Sequence, residues 1–228
     1  MKRSEINYII KNAIKFFNKM NFKLPPFAFF SIDDWLKIKN NAKEIFDLNL
    51  GWDITDFGKG DFYKTGLLLF TIRNGILNSK DYPKPYAEKI MIVEEEQVTP
   101  MHFHWNKVED IINRGGGNLI IKLYNSTKDE DLDKSDITVI IDGIKRFIKS
   151  GDEVVLTPGE SISLPSYLYH KFYGQKGNGK VLVGEVSMVN DDNTDNRFYE
   201  DIGRFPKVEE DVDPEYLLCN DYKKFLNL

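Results

Sequence analysis

The sequence predicts a mainly β protein, an antiparallel sandwich or barrel with α-helices at its N-terminus. Three observations carry that prediction. From about residue 51 the chain runs through apolar segments of strand length at 67–72, 89–93, 119–124, 138–141, 153–156, 161–164 and 181–186. Turn signals separate them: Asn74-Gly75, Asp142-Gly143, Ser150-Gly151, Pro158-Gly159 and Gly177-Asn178-Gly179. No helical period intervenes, so strands joined by tight turns are expected rather than a parallel sheet with crossover helices.

The remaining elements follow in order. Ile6, Ile9, Ile10, Ala13, Ile14, Phe16, Phe17 and Met20 recur at helical spacing, with Ser4 as the expected N-cap and Pro25 and Pro26 ending the segment. A second short helix is predicted from Ser31, with Asp33 and Asp34 in its first turn and Ile32, Trp35, Leu36 and Ile38 as its apolar side. The polar stretch 126–136 reads as an exposed loop, and 214–226 as a short closing helix. The expected organisation is a single domain over 1–228, with helices of 1–50 packed on a β-barrel of about 51–212 and a C-terminal segment over 213–228.

Composition narrows the functional classes. With 41% hydrophobic and 13% aromatic residues in 228, the chain can fill a substantial core, which argues against disorder. A net charge of −5 and no long basic run argue against nucleic acid. Cys219 is the one cysteine, which excludes an intramolecular disulfide and fits a reducing compartment. Lys2, Arg3, Glu5, Lys11, Lys15 and Lys19 interrupt the N-terminal apolar residues, so neither a signal peptide nor a membrane span is expected. The reading is a soluble cytoplasmic protein.

All three histidines fall into one pattern: His102 and His104 two apart, Glu109 four residues further on, and His170 in a second Pro-rich segment. Alternate residues of a strand share a face, so His102 and His104 point the same way. Three imidazoles and a carboxylate, with no thiolate, suit one divalent ion such as Mn, Fe, Co, Ni or Zn. Buried histidines can also serve only as hydrogen-bonding groups, but four residues in register favour a metal.

These segments resemble the two motifs of the cupin superfamily. His102-x-His104-x4-Glu109 followed by Gly115-Gly116-Gly117 resembles the first, and Gly159-x5-Pro165-x4-His170 the second. The resemblance implies a jelly-roll type antiparallel barrel. Glu96 and Tyr167 stand where those motifs usually carry glycine, which puts the local turn geometry in question. A wider similarity covers roughly residues 50–220: Asp56-Phe57-Gly58-Lys59-Gly60-Asp61-Phe62, Gly66 to Gly75, Tyr86-Ala87-Glu88-Lys89, Gly184-Glu185-Val186-Ser187 and Asn190 to Phe198 resemble the D-lyxose isomerase family. That resemblance implies a metal-dependent aldose–ketose isomerase, acting on free D-lyxose and D-xylulose and secondarily on D-mannose and D-fructose. Mn2+ is the implied cofactor, and a homodimer the implied assembly. A cupin metal site alone is equally compatible with an Fe(II) dioxygenase or a non-catalytic sugar-binding protein, since fold does not settle function.

Isomerisation needs a Lewis acid for developing oxyanion charge and a base for the carbon-bound proton. Glu185 shares strand parity with Val181 and Val183, so its carboxylate sits on an apolar face unless the strand edge twists it outward. It is the candidate base, its pKa expected to rise on burial. Lys89, among Ala87, Met91 and Val93, either steadies the enediolate or snorkels to the surface. Lys107 reads either as a cavity residue or, slightly preferred, as part of an exposed turn with Asn106. Asp195 and Arg197, in the Asp192–Arg197 cluster, either hold sugar hydroxyls or cap their own loop. Trp105 and Tyr169 are read as packing residues.

Overall fold

The computed structural model describes residues 1–189, 191 and 194–228. Helices α1 (Arg3–Lys19), α2 (Ile32–Ile38) and α3 (Lys43–Asp47) come first. Strands β1 (Gly51–Thr55), β2 (Leu67–Arg73), β3 (Tyr86–Val93), β4 (Thr99–Phe103), β5 (Glu109–Gly116), β6 (Leu119–Asn125) and β7 (Ile137–Ile141) follow. Next are β8 (Ile144–Ile148), β9 (Glu153–Leu156), β10 (Ser161–Leu164), β11 (Leu168–Gly174), β12 (Val181–Met188) and β13 (Arg197–Phe198), and α4 (Tyr222–Leu226) closes the chain.

Two antiparallel sheets share the strands. One has eight, in the order β1-β2-β3-β12-β5-β10-β7-β8, and the other has five, in the order β13-β4-β11-β6-β9. A common core joins them: Leu69, Met91, Ile111 and Val183 from the larger sheet pack with Ile121, Leu123 and Phe172 from the smaller. Full burial of each such side chain contributes about 1.5–3 kcal/mol. The outer face of the larger sheet over β1, β2, β3 and β12 is covered by α1, whose Ile6, Ile10, Ala13 and Phe17 pack on Trp52, Leu68, Phe70 and Leu182. This double cover explains why Leu67-Leu68-Leu69-Phe70 is continuously apolar: odd residues face the interior and even ones the helix.

Most element expectations hold, and two are corrected. Ser31 caps α2 through a reciprocal bond with Asp34. Ser4, however, lies inside α1; Lys2 occupies the cap position, and the Ser4 hydroxyl donates to Asp211 at 2.6 Å. The closing helix is also shorter than expected, Tyr222–Leu226, because Leu217, Leu218 and Cys219 are drawn down onto the neighbouring cores.

The two departures from the cupin glycines keep the glycine-type backbone. Glu96 has φ +57° and Tyr167 φ +61°, both left-handed. Each is held by a backbone bond, Glu96 N–H to Gly174 O at 2.8 Å and Tyr167 N–H to His104 O at 2.9 Å. The turn geometry survives, with strain of about 1 kcal/mol per residue. Gly116 does need to be glycine: φ is +89° and a side chain there would strike the Lys180 carbonyl.

Candidate active site

The two sheets contribute different chemistry to one buried cavity. The smaller sheet supplies the imidazoles. His102 of β4 and His170 of β11 are direct cross-strand partners, with ring centroids 4.2 Å apart. His104 lies just past the end of β4 and completes a triangle, its ring 5.1 Å from His102 and 5.7 Å from His170. The larger sheet supplies the charges: Glu109 opens β5, while Glu185 of β12 and Lys89 of β3 are cross-strand partners. All seven polar residues here, counting Lys107, are buried.

Hydrogen bonding fixes the state of the imidazoles. Nδ1 of His102 faces the Pro100 carbonyl at 2.8 Å, that of His104 the Asp195 carbonyl at 2.8 Å, and that of His170 the Leu168 carbonyl at 2.9 Å. A carbonyl only accepts, so each Nδ1 carries a proton, and in the neutral tautomer this selects, Nε2 is the bare nitrogen. Burial, reinforced by the neighbouring imidazoles, pushes His102 well below the usual histidine range; burial and Lys107 lower His104. His102 and His104 are therefore neutral, the form that ligates metals.

The donor set fits a divalent cation. The three imidazoles offer ligand atoms within 4.8 Å of one another. Glu109 Oε1 stands 3.1 Å from His170 Nε2 and 3.4 Å from His104 Nε2, acceptor against acceptor. His170 Nε2 is buried without a hydrogen-bond partner. Such convergent lone pairs repel one another unless a cation stands among them, and each ring already has the outer hydrogen bond that orients metal-binding histidines.

Beside this centre lies an ion network. Lys107 Nζ bridges the two carboxylates, 2.8 Å from Glu109 Oε2 and 2.9 Å from Glu185 Oε1. Lys89 Nζ lies 3.5 Å from the same Glu185 oxygen, and Ser187 Oγ donates to it at 3.1 Å. Burial alone would raise the Glu109 carboxyl; Lys107 and His104 outweigh it and hold it well below the ordinary carboxylate value. The same competition corrects the expectation for Glu185. Burial pushes its carboxyl up, but Lys107 and Lys89 more than offset this, and it titrates below the ordinary value.

Other expectations are revised. Lys107 is a cavity residue, not an exposed turn, at 4% exposure. The reason is Asp195, whose carboxylate accepts from the backbone N–H of Asn106 at 2.9 Å and of Lys107 at 3.0 Å, pulling that turn inward. Asp195 thus fixes the site's framework, and through its carbonyl it also orients His104. Arg197 is not brought into the cavity. Its β13 neighbour Phe198 packs on His102, so strand alternation turns Arg197 to the opposite face, where Nε pairs with Glu130 at 2.9 Å. Trp105 and Tyr169 pack on that outer side, Trp105 donating to the Glu130 carboxylate and Tyr169 to the Glu130 carbonyl. Asp192, also part of the expected sugar-holding cluster, lies outside the described residues.

The sequence reading missed Arg204, Phe57 and Phe198 as cavity walls, and Asp53, which holds Arg204 at 2.6 Å. Arg204 lies in a segment without periodic pattern, so nothing local marked it. Asp53 carried the same signal as Glu185, an isolated carboxylate on a buried strand.

Comparison with known proteins agrees with this architecture. The family model described as D-lyxose isomerase matches residues 1–222. The chain belongs to the D-lyxose isomerase family. It is 51% identical to the D-lyxose/D-mannose isomerase of Serratia proteamaculans over 227 residues, covering 99% of this chain and all of that one. Identity to the D-lyxose/D-mannose isomerase of Escherichia coli O157:H7 is 52% over 226 residues, with 99% of this chain and 100% of the relative covered. Family membership makes the protein an enzyme of the aldose–ketose isomerase class. Among solved structures, the L-ribose isomerase of Cellulomonas parahominis with L-ribose aligns with a TM-score of 0.60 at 14% identity, over 92% of this chain and 98% of that one. The L-ribose isomerase of Geodermatophilus obscurus aligns with a TM-score of 0.55 at 14% identity and the same coverages. At that identity the likeness establishes the fold, the cupin barrel. No described helix is long and apolar enough to cross a membrane.

Proposed function

We propose that the protein interconverts D-lyxose with D-xylulose, and D-mannose with D-fructose, by proton transfer through an enediol. One observation carries the reading: in a chain of the D-lyxose isomerase family, Glu185 and Lys89 line the same small cavity as the three convergent histidines. The names of the two curated relatives support these substrate pairs.

His102, His104, His170 and Glu109 would hold a divalent ion, for which we favour Mn2+ over Co2+, Ni2+, Fe2+ or Zn2+. When bound, such an ion supplies Lewis-acid stabilisation to negative charge developing on the sugar oxygens. Glu185 takes the proton from C2 of the open-chain aldose and delivers a proton to C1, while the hydroxyl proton on O2 is passed to O1, so no atom is gained or lost. Lys107 and Lys89 keep Glu185 ionised, ready to act as base at neutral pH. Lys89 also donates a hydrogen bond to a sugar oxygen as its charge grows. Phe57 and Phe198 form an apolar part of the cavity wall and limit the access of water.

Two measurements test this. Metal-stripped protein, restored separately with each ion and assayed against a panel of aldoses, is expected to form ketose from D-lyxose ahead of the other sugars; a response indifferent to metal rejects the reading. Turnover in deuterated water is expected to place a measurable fraction of deuterium on carbon in the product, through exchange of the proton held by Glu185 with solvent before delivery, whereas a hydride shift leaves none there.

The proposal further takes residues 1–228 as one domain acting in the cytoplasm as a homodimer. The bonds from Arg3 of α1 to Glu210 and Asp221 near the C-terminus support one folding unit, checked by a single unfolding transition. Sedimentation tests the dimer.

A further inference from the structure

The cavity that holds the histidines is too small for a sugar. Its free volume is about 40 Å³, room for an ion and a few small groups. A second cavity of about 450 Å³ adjoins it, a size within the usual range for small-molecule sites. Three residue pairs join the two. Thr71 on the wall of the larger cavity is the cross-strand partner of Lys89 in the smaller. Asp53 of the larger is ion-paired with Arg204 of the smaller, and Asn106 of the larger precedes Lys107 of the smaller. A sugar with C1 and C2 beside Glu185 can therefore direct its tail towards the larger cavity.

The lining specifies the chemistry of what enters. Asp53, Thr71 and Asn74 are buried and offer carboxylate, hydroxyl and amide groups suited to hydroxyls. Phe205 lies at the rim, 36% exposed, where its ring can cover the C–H face of a pyranose. No lysine or arginine is among the described lining residues, and the lining carboxylates Asp47 and Asp53 are already paired with Lys43 and Arg204. That lining offers a phosphate no lysine or arginine and favours a neutral polyol.

We infer that the larger cavity is a subsite for the far end of the substrate, roomy enough for a glycosyl substituent, so that the enzyme isomerises the reducing end of neutral disaccharides. The inference rests on the isomerase reading above and extends it to a second substrate class. The reaction is unchanged: the C1 aldehyde and C2 hydroxyl become a C1 hydroxyl and a C2 ketone, and the glycosidic bond is left intact.

The test uses metal-restored enzyme and three sugars: D-mannose, 4-O-β-D-mannosyl-D-mannose and D-mannose 6-phosphate. The disaccharide is expected to be converted with kcat/KM within about tenfold of mannose, and the phosphate roughly a hundredfold below it. Ile76→Trp, at the exposed rim of the cavity, is expected to lower kcat/KM for the disaccharide at least about tenfold more than for mannose. Turnover of mannose with the disaccharide about a thousandfold slower or inert overturns the inference and leaves the isomerase reading standing. Equal losses for both sugars in Ile76→Trp also overturn it. Failure on free lyxose and mannose alike overturns both readings. The wild-type comparison decides even where the variant does not fold.

Discussion

Two buried ion networks stand in this molecule, and they are built on opposite plans. At the junction of the termini, Arg3 is fully buried and grips Glu210 through Nε and Nη2 at 2.7 and 2.9 Å, and Asp221 through Nη1 and Nη2 at 2.8 and 2.9 Å. Asp221 also accepts from the Leu218 N–H, and Glu210 from Lys224. Each donor in these bonds meets an acceptor, so the network closes on itself. In the barrel, Lys107, Lys89, Glu109 and Glu185 balance their charges too, yet the Nε2 lone pairs of His104 and His170 face a Glu109 carboxylate oxygen. A closed network holds structure together. One left open around a common point is built to receive something, and burial makes that openness costly unless it is filled.

The largest expected effect comes from breaking the open network. If the proposed metal site is right, His170→Ala removes a ligand and several kcal/mol of Lewis-acid stabilisation, and kcat/KM is expected to fall on the order of 10³-fold. Calorimetric titration should show weaker Mn2+ binding, while metal-free protein keeps or gains melting temperature because a lone-pair clash is relieved. A metal-free melting temperature that drops sharply would mean the histidines form a structural network after all.

Breaking the closed network reverses the pattern. Arg3→Met leaves Glu210 and Asp221 facing each other without their cation, a loss of about 3–5 kcal/mol in urea unfolding. Turnover per folded molecule should be unchanged. The same network sets a pH signature. The bond to Arg3, partly opposed by burial and aided by Lys224, holds the Glu210 carboxyl down at about 2 instead of 4.5. A depressed carboxylate contributes fully above its unfolded value, so this stability is intact above about pH 4.5 and is lost as pH falls towards 2. Arg3→Met should flatten the melting-temperature profile over that window.

A smaller effect probes the framework of the open site. Asp195→Asn weakens the clamp on the Asn106–Lys107 turn and should reduce metal affinity about 10–100-fold, as loss of an outer partner commonly does. Loss of kcat with KM held would match a framework role; a rise in KM alone would indicate direct contact with sugar. The smallest effect calibrates both networks. Glu96→Gly touches neither, relieves a left-handed residue, and should raise stability by about 0.5–1 kcal/mol in thermal unfolding.

Much of this was legible in the sequence because it depends on local rules. The alternation of Leu119, Ile121 and Leu123 announces a strand with one buried face, and Ser31 with Asp34 announces a capped helix start. Histidine spacing pointed to a metal centre because strand pleat places His102 and His104 on one side whatever the surroundings. Glu185 and Lys89 were visible as charges out of place on apolar strands. Other features were not local. Ser4 satisfies the capping pattern, but Asp211, brought in from the far end of the chain, claims its hydroxyl. Lys107 looked like a turn residue until Asp195 drew it inward. Arg197 looked like a sugar ligand until the pairing of β13 with β4 turned it outward.

By itself the sequence determined which side chains share a face, where strands stop and which residues can ligate a cation, since those follow from bond geometry within a few residues. Only the tertiary structure decided which carboxylates stay charged, which lysine meets them and how much space lies beyond. Those quantities depend on distances between residues far apart in the chain, and electrostatic energies in a buried site change steeply with such distances.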